Sequence, residues 1–587
     1  MDGSFAHGCR AGTVAVGLWL ALLAAAPASA GARAPFAGPE RELCERYLAV
    51  CEHAVDAFAP LWRDVPSMPN AGFFDFTQYD NWGRDGYGGL VTIPGNGMVA
   101  LAYAVLLTET DKDAFGQQRV PRAALLGRAI KAIRWCCLTS AYVPTPHPYL
   151  PDTDERLLDG AHWRRPLGFR ADILGYLTVA VAVLWDHLDA DTRGLFEAAG
   201  IDMVSTEHDR ARAAVAEGKP VAEWAEGWNL YPDYSSDHHQ RASVWYGGDL
   251  LFEGRCYVEL LARSTGAPVP ATYTYPGNGF DGACEWLKTL CLAEGAFAHP
   301  HGAEYDSYYG AGLLAFCYGA TVKKDPVAAA LEHQAAALLQ RHTRAVGQYD
   351  YHRGSWAKAA LAYLMHRHHA PAAEPMALAD ALQALEGTRH YERQRGVVHR
   401  TRDKWASFSW GSSTDAPGTE NPCGFVVPQR QSAEAAAPLV YCDRHSLTGD
   451  LDAETTPSRT RMLLRRLTGA PAWAVGLCVA CAVAAVLLAR PAWRRQRWAL
   501  GAQASLGVAL CALLATGLAG GLERAKQPSE AHTAYTFQRS DDGFSTAGWF
   551  RRGPVVQHQA FFSFDAGPCV TWVVLRAADD LRVKWSG

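Results

Sequence analysis

The chain has 587 residues, 49% of them hydrophobic and 20% charged, with a formal net charge of -5 and a pI near 6.5. That length exceeds one ordinary core and the composition excludes disorder, so two or three packed units are expected. The charge balance excludes the global basic field that nucleic acid calls for, and a polyanionic partner must be met by a local Arg/His patch.

Residues 1–30 read as a secretory signal: Arg10, an apolar run from Thr13 to Ala26, and Ala28-Ser29-Ala30 as a small-x-small cleavage site. The mature chain is expected to start near Gly31, with an uncleaved amino-terminal anchor as the alternative. Fifteen cysteines in an exported chain make disulfides an option. Cys44 and Cys51 stand seven apart, on one face of any helix there, and Cys136-Cys137 is a vicinal pair that rarely bridges to itself. Among the eleven cysteines outside the signal and the apolar spans there is no C-x-x-C array, which argues against a structural zinc site.

Residues 31–388 read as helical. Apolar residues recur at i, i+3 and i+4 and predict helices over Met98–Leu107, Arg122–Thr139, Arg170–His187, Ala242–Ser264, Gly279–Ala293, Gly310–Thr321, Pro326–His342, Trp356–His369 and Met376–Leu385. Helical hairpins with long irregular loops predict an α/α toroid whose loops line a groove.

From residue 389 the pattern changes to β-rich segments: Gly396–His399, Lys404–Trp410, Cys423–Pro428 and Pro438–Cys442, then Ser545–Phe550, Pro554–Gln559, Ala560–Phe564 and Cys569–Leu575. These predict an antiparallel β-sandwich in two parts, residues 389–458 and 529–587. Between them, within 459–528, Ala470–Ala489 and Ala499–Leu522 carry no charge and flank the loop Arg490–Arg497 with its four arginines. That pattern predicts a two-helix transmembrane hairpin, with a pair of buried core helices as the alternative. The expected architecture is thus multidomain α + β: an N-terminal toroid, then a sandwich interrupted by a membrane hairpin. Both domains would lie outside the cytoplasm, tethered through residues 470–522.

The segment Trp228 to Gly248 gathers Asn229, Asp233, Asp237, His238, His239, Arg241 and Tyr246. Cleaving a uronate glycan by β-elimination requires one group to neutralise the carboxylate, one to take the C5 proton and one to protonate the leaving O4, and Asn, His and Tyr can fill those roles. Tyr is a base near neutrality only if its pKa falls from about 10, which a guanidinium such as Arg241 or Arg353 would bring about; His is the other candidate. Tyr305, in His299-Pro-His301-Gly-Ala-Glu304-Tyr305-Asp306, is an alternative acid. Gln348–Trp356 places His352, Arg353 and Trp356 together, as a sugar-binding loop does, and Phe73–Trp82 is a second such loop ending in Trp82. No cofactor is expected; His299, His301 and Glu304 with His239 are the option for a divalent metal. His366-x-His368-His369 closes a helix and reads as an exposed cap. Phosphate loops, His-Glu-x-x-His and Gly-x-Ser-x-Gly are absent from the sequence, and a dinucleotide-binding unit is not expected.

Asp237-His238-His239 followed by Tyr246-Gly247 and Asp249–Phe252 resembles the Asp-Gly-Ser-Phe-x-x-His…Tyr-Gly segment of the hyaluronate and chondroitin lyases of polysaccharide lyase family 8. Tyr391–Arg400 with Trp405–Ser412 resembles the Asp-Arg-x-x-x-Arg…Ser approach to the sandwich in that family and in heparinase II/III-like proteins. The likeness covers two segments of about twenty-five residues each. It implies a catalytic His at His238 or His239 and a catalytic Tyr at Tyr246. The carboxylate-binding Asn of the family has no counterpart near Gly168–Asp172, and Asn229 takes the role from another position. The expected function is an exported, membrane-tethered carbon–oxygen lyase acting on a glycosaminoglycan, alginate or other acidic polysaccharide. The alternatives are an α/α-toroid glycoside hydrolase using paired carboxylates among Asp233, Asp237, Glu304 and Asp306, and a non-catalytic glycan-binding envelope protein.

Overall fold

Pro39 in the first turn and Glu40 beside the free N–H groups start the first helix, α1 (Gly38–Phe58). Its buried residues, Leu43, Cys44, Tyr47, Val50, Cys51, Ala54, Val55 and Phe58, trace one helical stripe. Cys44 and Cys51 share that face, as their spacing predicts.

The computed structural model describes residues 36–65, 70–75, 88–138, 171–200, 233–235, 237–238, 241–242, 251–265, 268–269, 274, 279–298, 312–345, 354–392, 395–402, 404–410, 423–428, 450–455, 532–540, 543–552, 555–565, 569–577 and 581–586. The fold is mixed helix and strand with small antiparallel sheets. The chain divides into two units, residues 1–407 with 426–443 and residues 408–425 with 444–587.

In the first unit α1 is followed by α2 (Gly88–Glu109), α3 (Arg122–Leu138), α4 (Ala171–Leu184), α5 (Ala190–Gly200), α6 (Leu251–Thr265), α7 (Phe280–Leu290), α8 (Leu313–Tyr318), α9 (Pro326–Ala345), α10 (Ser355–His369) and α11 (Leu378–Ala384). Short strand pairs interrupt them: β1 (Trp62–Asp64) with β2 (Gly72–Phe74), β3 (Ala114–Phe115) with β4 (Val120–Pro121), and β5 (Asp237–His238) with β6 (Arg241–Ala242). Of the predicted helix at 242–264, residues from Leu251 on are helical and Ala242 belongs to a strand, while residues 243–250 lie outside the described residues.

Among the described helices, α2 packs on α3 and α4, α3 on α5, α4 on α6, α6 on α8 and α10, α8 on α9 and α10, and α10 back on α2, while α1 lies against α2, α9 and α10. The sequences match these places. α10 is apolar or small on almost every side and buried nearly throughout, whereas α1 buries a single stripe.

Side-chain pairs give the directions. Tyr176 of α4 donates to Glu253 Oε1 in the first turn of α6 at 2.7 Å. At the other end His369 Nε2, closing α10, is 3.5 Å from Glu259 of α6, and Arg367 of α10 is 3.0 Å from Glu109, the last residue of α2. Gly354, preceding α10, abuts Met98 of α2 so closely that a Cβ would lie 2.7 Å from its sulfur. α2 and α10, paired at both levels, therefore run the same way. α1 runs opposite, since Glu40 in its first turn meets His366 in the last turn of α10.

After α11 come β7 (Gly387–Tyr391), β8 (Gly396–Arg400), β9 (Lys404–Ser409) and β10 (Cys423–Pro428), neighbours in one sheet in that order, with β7 and β8 antiparallel. β8 and β9 are buried along their whole length.

In the second unit β12 (His532–Ser540), β13 (Gly543–Arg552), β14 (Val555–Phe564) and β15 (Cys569–Ala577) form an antiparallel meander. Two of the predicted strands, 554–559 and 560–564, are one continuous β14. Phe408, Phe544 and Phe561 stack together in this unit at 5.3 and 5.7 Å between ring centroids. β11 (Asp450–Thr455) pairs antiparallel with the final strand β16 (Leu581–Ser586), so strands on either side of residues 456–531 are hydrogen-bonded to each other. The predicted strand 438–442, the spans 470–489 and 499–522, and residues 1–30 lie outside the described residues. Among the described residues no helix is long and apolar enough to cross a membrane.

Candidate functional site

Asp237 and His238 form β5, and Arg241 and Ala242 form β6, with His238 paired to Arg241 and Asp237 to Ala242. His239 and Gln240 are the two connecting residues. The approach to this hairpin is fixed from below. Asp233 Oδ1 accepts hydrogen bonds from the Ser235 amide at 3.1 Å and the Ser235 hydroxyl at 2.6 Å, and Ser235 is fully buried. Tyr234 adopts a left-handed φ of 64°, and its ring lies on α7 where Gly282 leaves room, a Cβ there falling 2.2 Å from the ring. Asp233 is thereby committed to the turn, which weakens it as a member of a hydrolase carboxylate pair.

Asn229, His239, Tyr246, Tyr305, His352, Arg353 and Trp82 lie outside the described residues, as do His299, His301, Glu304 and Asp306. In the chain, Tyr246 precedes α6 by five residues, Arg353 precedes α10 by two and Trp82 precedes α2 by six.

Trp356 is a correction. As the second residue of α10 it is 3% exposed, its ring packs edge-on against Phe58 at 4.7 Å, and its carbonyl accepts from the Cys51 thiol at 3.8 Å. A ring enclosed in this way has no face for a sugar. The Ala-rich run that follows it, typical of a helix buried on all sides, is the sequence signal for that placement.

The second family-like segment secures the end of α7. Arg400, fully buried, donates from one guanidinium nitrogen to the carbonyls of Lys288 at 3.2 Å and Cys291 at 2.6 Å, and Trp405 Nε1 donates to the Thr289 carbonyl at 3.0 Å. Tyr391 and Thr289 join their hydroxyls at 3.0 Å. These groups satisfy carbonyls that a helix C-terminus leaves open. Burial lowers the Arg400 guanidinium to about 10.

A second constellation lies at the C-terminal end of α10. His366 is 1% exposed, against the expectation of a solvent-facing cap. Its Nδ1 is 2.9 Å from Glu40 Oε1 and its Nε2 3.1 Å from Glu332 Oε1, while Tyr47 donates its hydroxyl to the same Glu332 oxygen at 2.7 Å. Burial opposes charge on His366, but the Glu332 carboxylate, with Glu40 on the other nitrogen, outweighs it and pushes the imidazole up to about 9. Burial likewise acts to raise Glu332, yet the His366 charge and the hydrogen bonds from His366 and Tyr47 hold it below the usual carboxylate range. Cys317 completes the group: its sulfur, a Glu332 oxygen and a His366 nitrogen lie within 4.8 Å of one another, all buried. Burial, then the Glu332 charge, drives the Cys317 thiol well above its ordinary value. A cleft of about 320 Å³, lined by Glu40, Leu43, Glu332, His333, His366 and Pro371, reaches the cluster.

Local sequence could not reveal this cluster, since Glu40 stands 326 residues from His366 and Glu332 stands 34 away. No protein-family model, no curated protein and no solved structure matches this chain.

Proposed function

We propose that the protein is an exported, membrane-tethered polysaccharide lyase that cleaves a uronate-containing glycan by β-elimination. In this reading an α/α toroid carries the chemistry and a β-sandwich, split by a two-helix membrane hairpin, completes the chain. The observation that carries it is positional: α2 and α10 run the same way, and Asn/His/Tyr/Arg-rich segments lead in the chain into α2, α6 and α10. A closed round of contacts, from α2 through α4, α6, α8 and α10 back to α2, supports a toroid, and the β11–β16 pairing across residues 456–531 supports a sandwich interrupted by an insertion.

In the proposed reaction Asn229 binds the uronate carboxylate and lowers the cost of charge developing at C5. His238 or His239, or Tyr246 in its ionised form, removes the C5 proton; the freed electron pair forms the C4–C5 double bond as the C4–O4 bond breaks. The remaining group of the His/Tyr set, or Tyr305, protonates O4. Arg241 and Arg353 pair with substrate carboxylates, and Trp82 and His352 line the same loops. The pairing of His238 with Arg241 puts a proton-transfer candidate and a cation on one short hairpin.

The test is a panel of alginate, heparan, chondroitin, hyaluronan and pectate, followed by the ultraviolet absorbance of the unsaturated uronide. Absorbance growing with one of these glycans is the expected result. New reducing ends without that absorbance would make the protein a hydrolase, and glycan binding with neither product would make it a non-catalytic binding protein.

A further inference from the structure

We propose that Cys317, Glu332 and His366 form a binding site for a single divalent metal ion of borderline softness, for which zinc is the best chemical match. Thiolate, carboxylate and imidazole together are a zinc-type ligand set, and three protein ligands leave a fourth position for water. Their donor atoms already lie within 4.8 Å of one another, close enough to close on one ion.

The surroundings carry the proposal further than the ligand set alone. A histidine that binds a metal through one nitrogen characteristically has a carboxylate on the other, and Glu40 Oε1 is 2.9 Å from His366 Nδ1, itself held by the Ala372 amide at 3.1 Å. Tyr47 fixes the ligating carboxylate by donating to Glu332 Oε1. The other oxygen, Oε2, is fully buried and receives no conventional hydrogen bond among the described residues, the position expected of a carboxylate oxygen directed at an ion. The cleft lined by Glu40, Glu332, His333 and His366 gives the ion a path inward.

The site lies at the C-terminal end of α10 and does not depend on the lyase reading.

The full chain is stripped with chelator, checked for folding by circular dichroism and titrated with Co²⁺ and Zn²⁺. The expected result is uptake of one ion with a near-ultraviolet thiolate-to-cobalt charge-transfer band. Cys317→Ser should abolish the band, and Glu40→Gln should weaken affinity by about 10–100-fold. Folded protein that takes up no ion, or takes one without the thiolate band, overturns the proposal, as does a Cys317→Ser protein that keeps the band. Should Cys317→Ser not fold, the wild-type cobalt spectrum and Glu40→Gln decide the matter.

Discussion

His238 stands directly across from Arg241 in the β5–β6 hairpin, with only His239 and Gln240 between them in the chain. Such a short connection fixes the register of the two strands. In the lyase reading the two residues nevertheless act on different steps. His238→Ala, His239→Ala and Tyr246→Phe test the proton-transfer set, and the substitution that removes the acting base should lower kcat by about 10²–10⁴-fold. Arg241→Ala should act chiefly on substrate affinity and raise KM. Steady-state kinetics on the glycan that is turned over separates the two, and a loss confined to kcat in Arg241→Ala would move that residue into the chemistry.

Where periodicity was strong, the sequence reading and the structure coincide closely. Arg122–Thr139 is predicted and Arg122–Leu138 observed, and Cys423–Pro428 is the same strand in both. These segments are specified by residues a few positions apart, which is what a periodic pattern records. The hairpin at 237–242 escaped because Asp-His-His-Gln-Arg-Ala has neither alternation nor a turn glycine. His366 was misread for a different reason: a polar residue in a last helical turn is normally solvated, and what overrides that rule are carboxylates contributed by α1 and α9 from distant sequence. Trp356 shows the converse, an aromatic beside Arg353 that looks like a sugar platform and is enclosed by Phe58.

The Tyr176–Glu253 hydrogen bond ties the second turn of α4 to the first turn of α6. Tyr176→Phe keeps the ring and removes the donor, leaving a buried carboxylate short of one partner. The expected cost is about 1–3 kcal/mol. Urea unfolding should show it as a lower midpoint at unchanged slope. An unaltered midpoint would mean that the remaining contacts of Glu253 satisfy it fully.

Arg400→Leu removes the donor that serves the Lys288 and Cys291 carbonyls at the end of α7. With both carbonyls buried, a loss of about 2–3 kcal/mol is expected, and about 1 kcal/mol for Trp405→Phe, which removes the neutral donor to Thr289. The two measured in one background should follow that order.

Asp325 links stability to pH. Burial acts to raise its carboxyl, but the Lys288 ammonium at 2.7 Å and the amides of Val327 and Ala328 at the start of α9 hold it below the usual range. The unfolded chain therefore binds a proton at a higher pH than the folded one. The stabilisation is fully present above the unfolded pKa of about 3.9 and is lost as pH falls through the lower folded value. Asp325→Asn should flatten the fall in stability between about pH 5 and pH 2, measured by denaturant unfolding across that range. A variant whose acid limb matches the parent would place the acid-sensitive group elsewhere.

The thiols give the final prediction. Cys44, Cys51, Cys136, Cys137, Cys256, Cys284, Cys291 and Cys317 are all buried thiols. Burial, above every other influence, raises Cys284 and Cys291 to about 12. Only the thiolate is an efficient nucleophile, and here it is both scarce at neutral pH and shielded from reagent. Under native conditions a maleimide should therefore leave these eight residues unlabelled, and in denaturant it should modify all eight, as peptide mapping by mass spectrometry can read site by site. Fast native labelling at Cys136 or Cys137 would mean that the C-terminal turn of α3 opens readily, since local opening is the route by which reagent reaches a buried thiol.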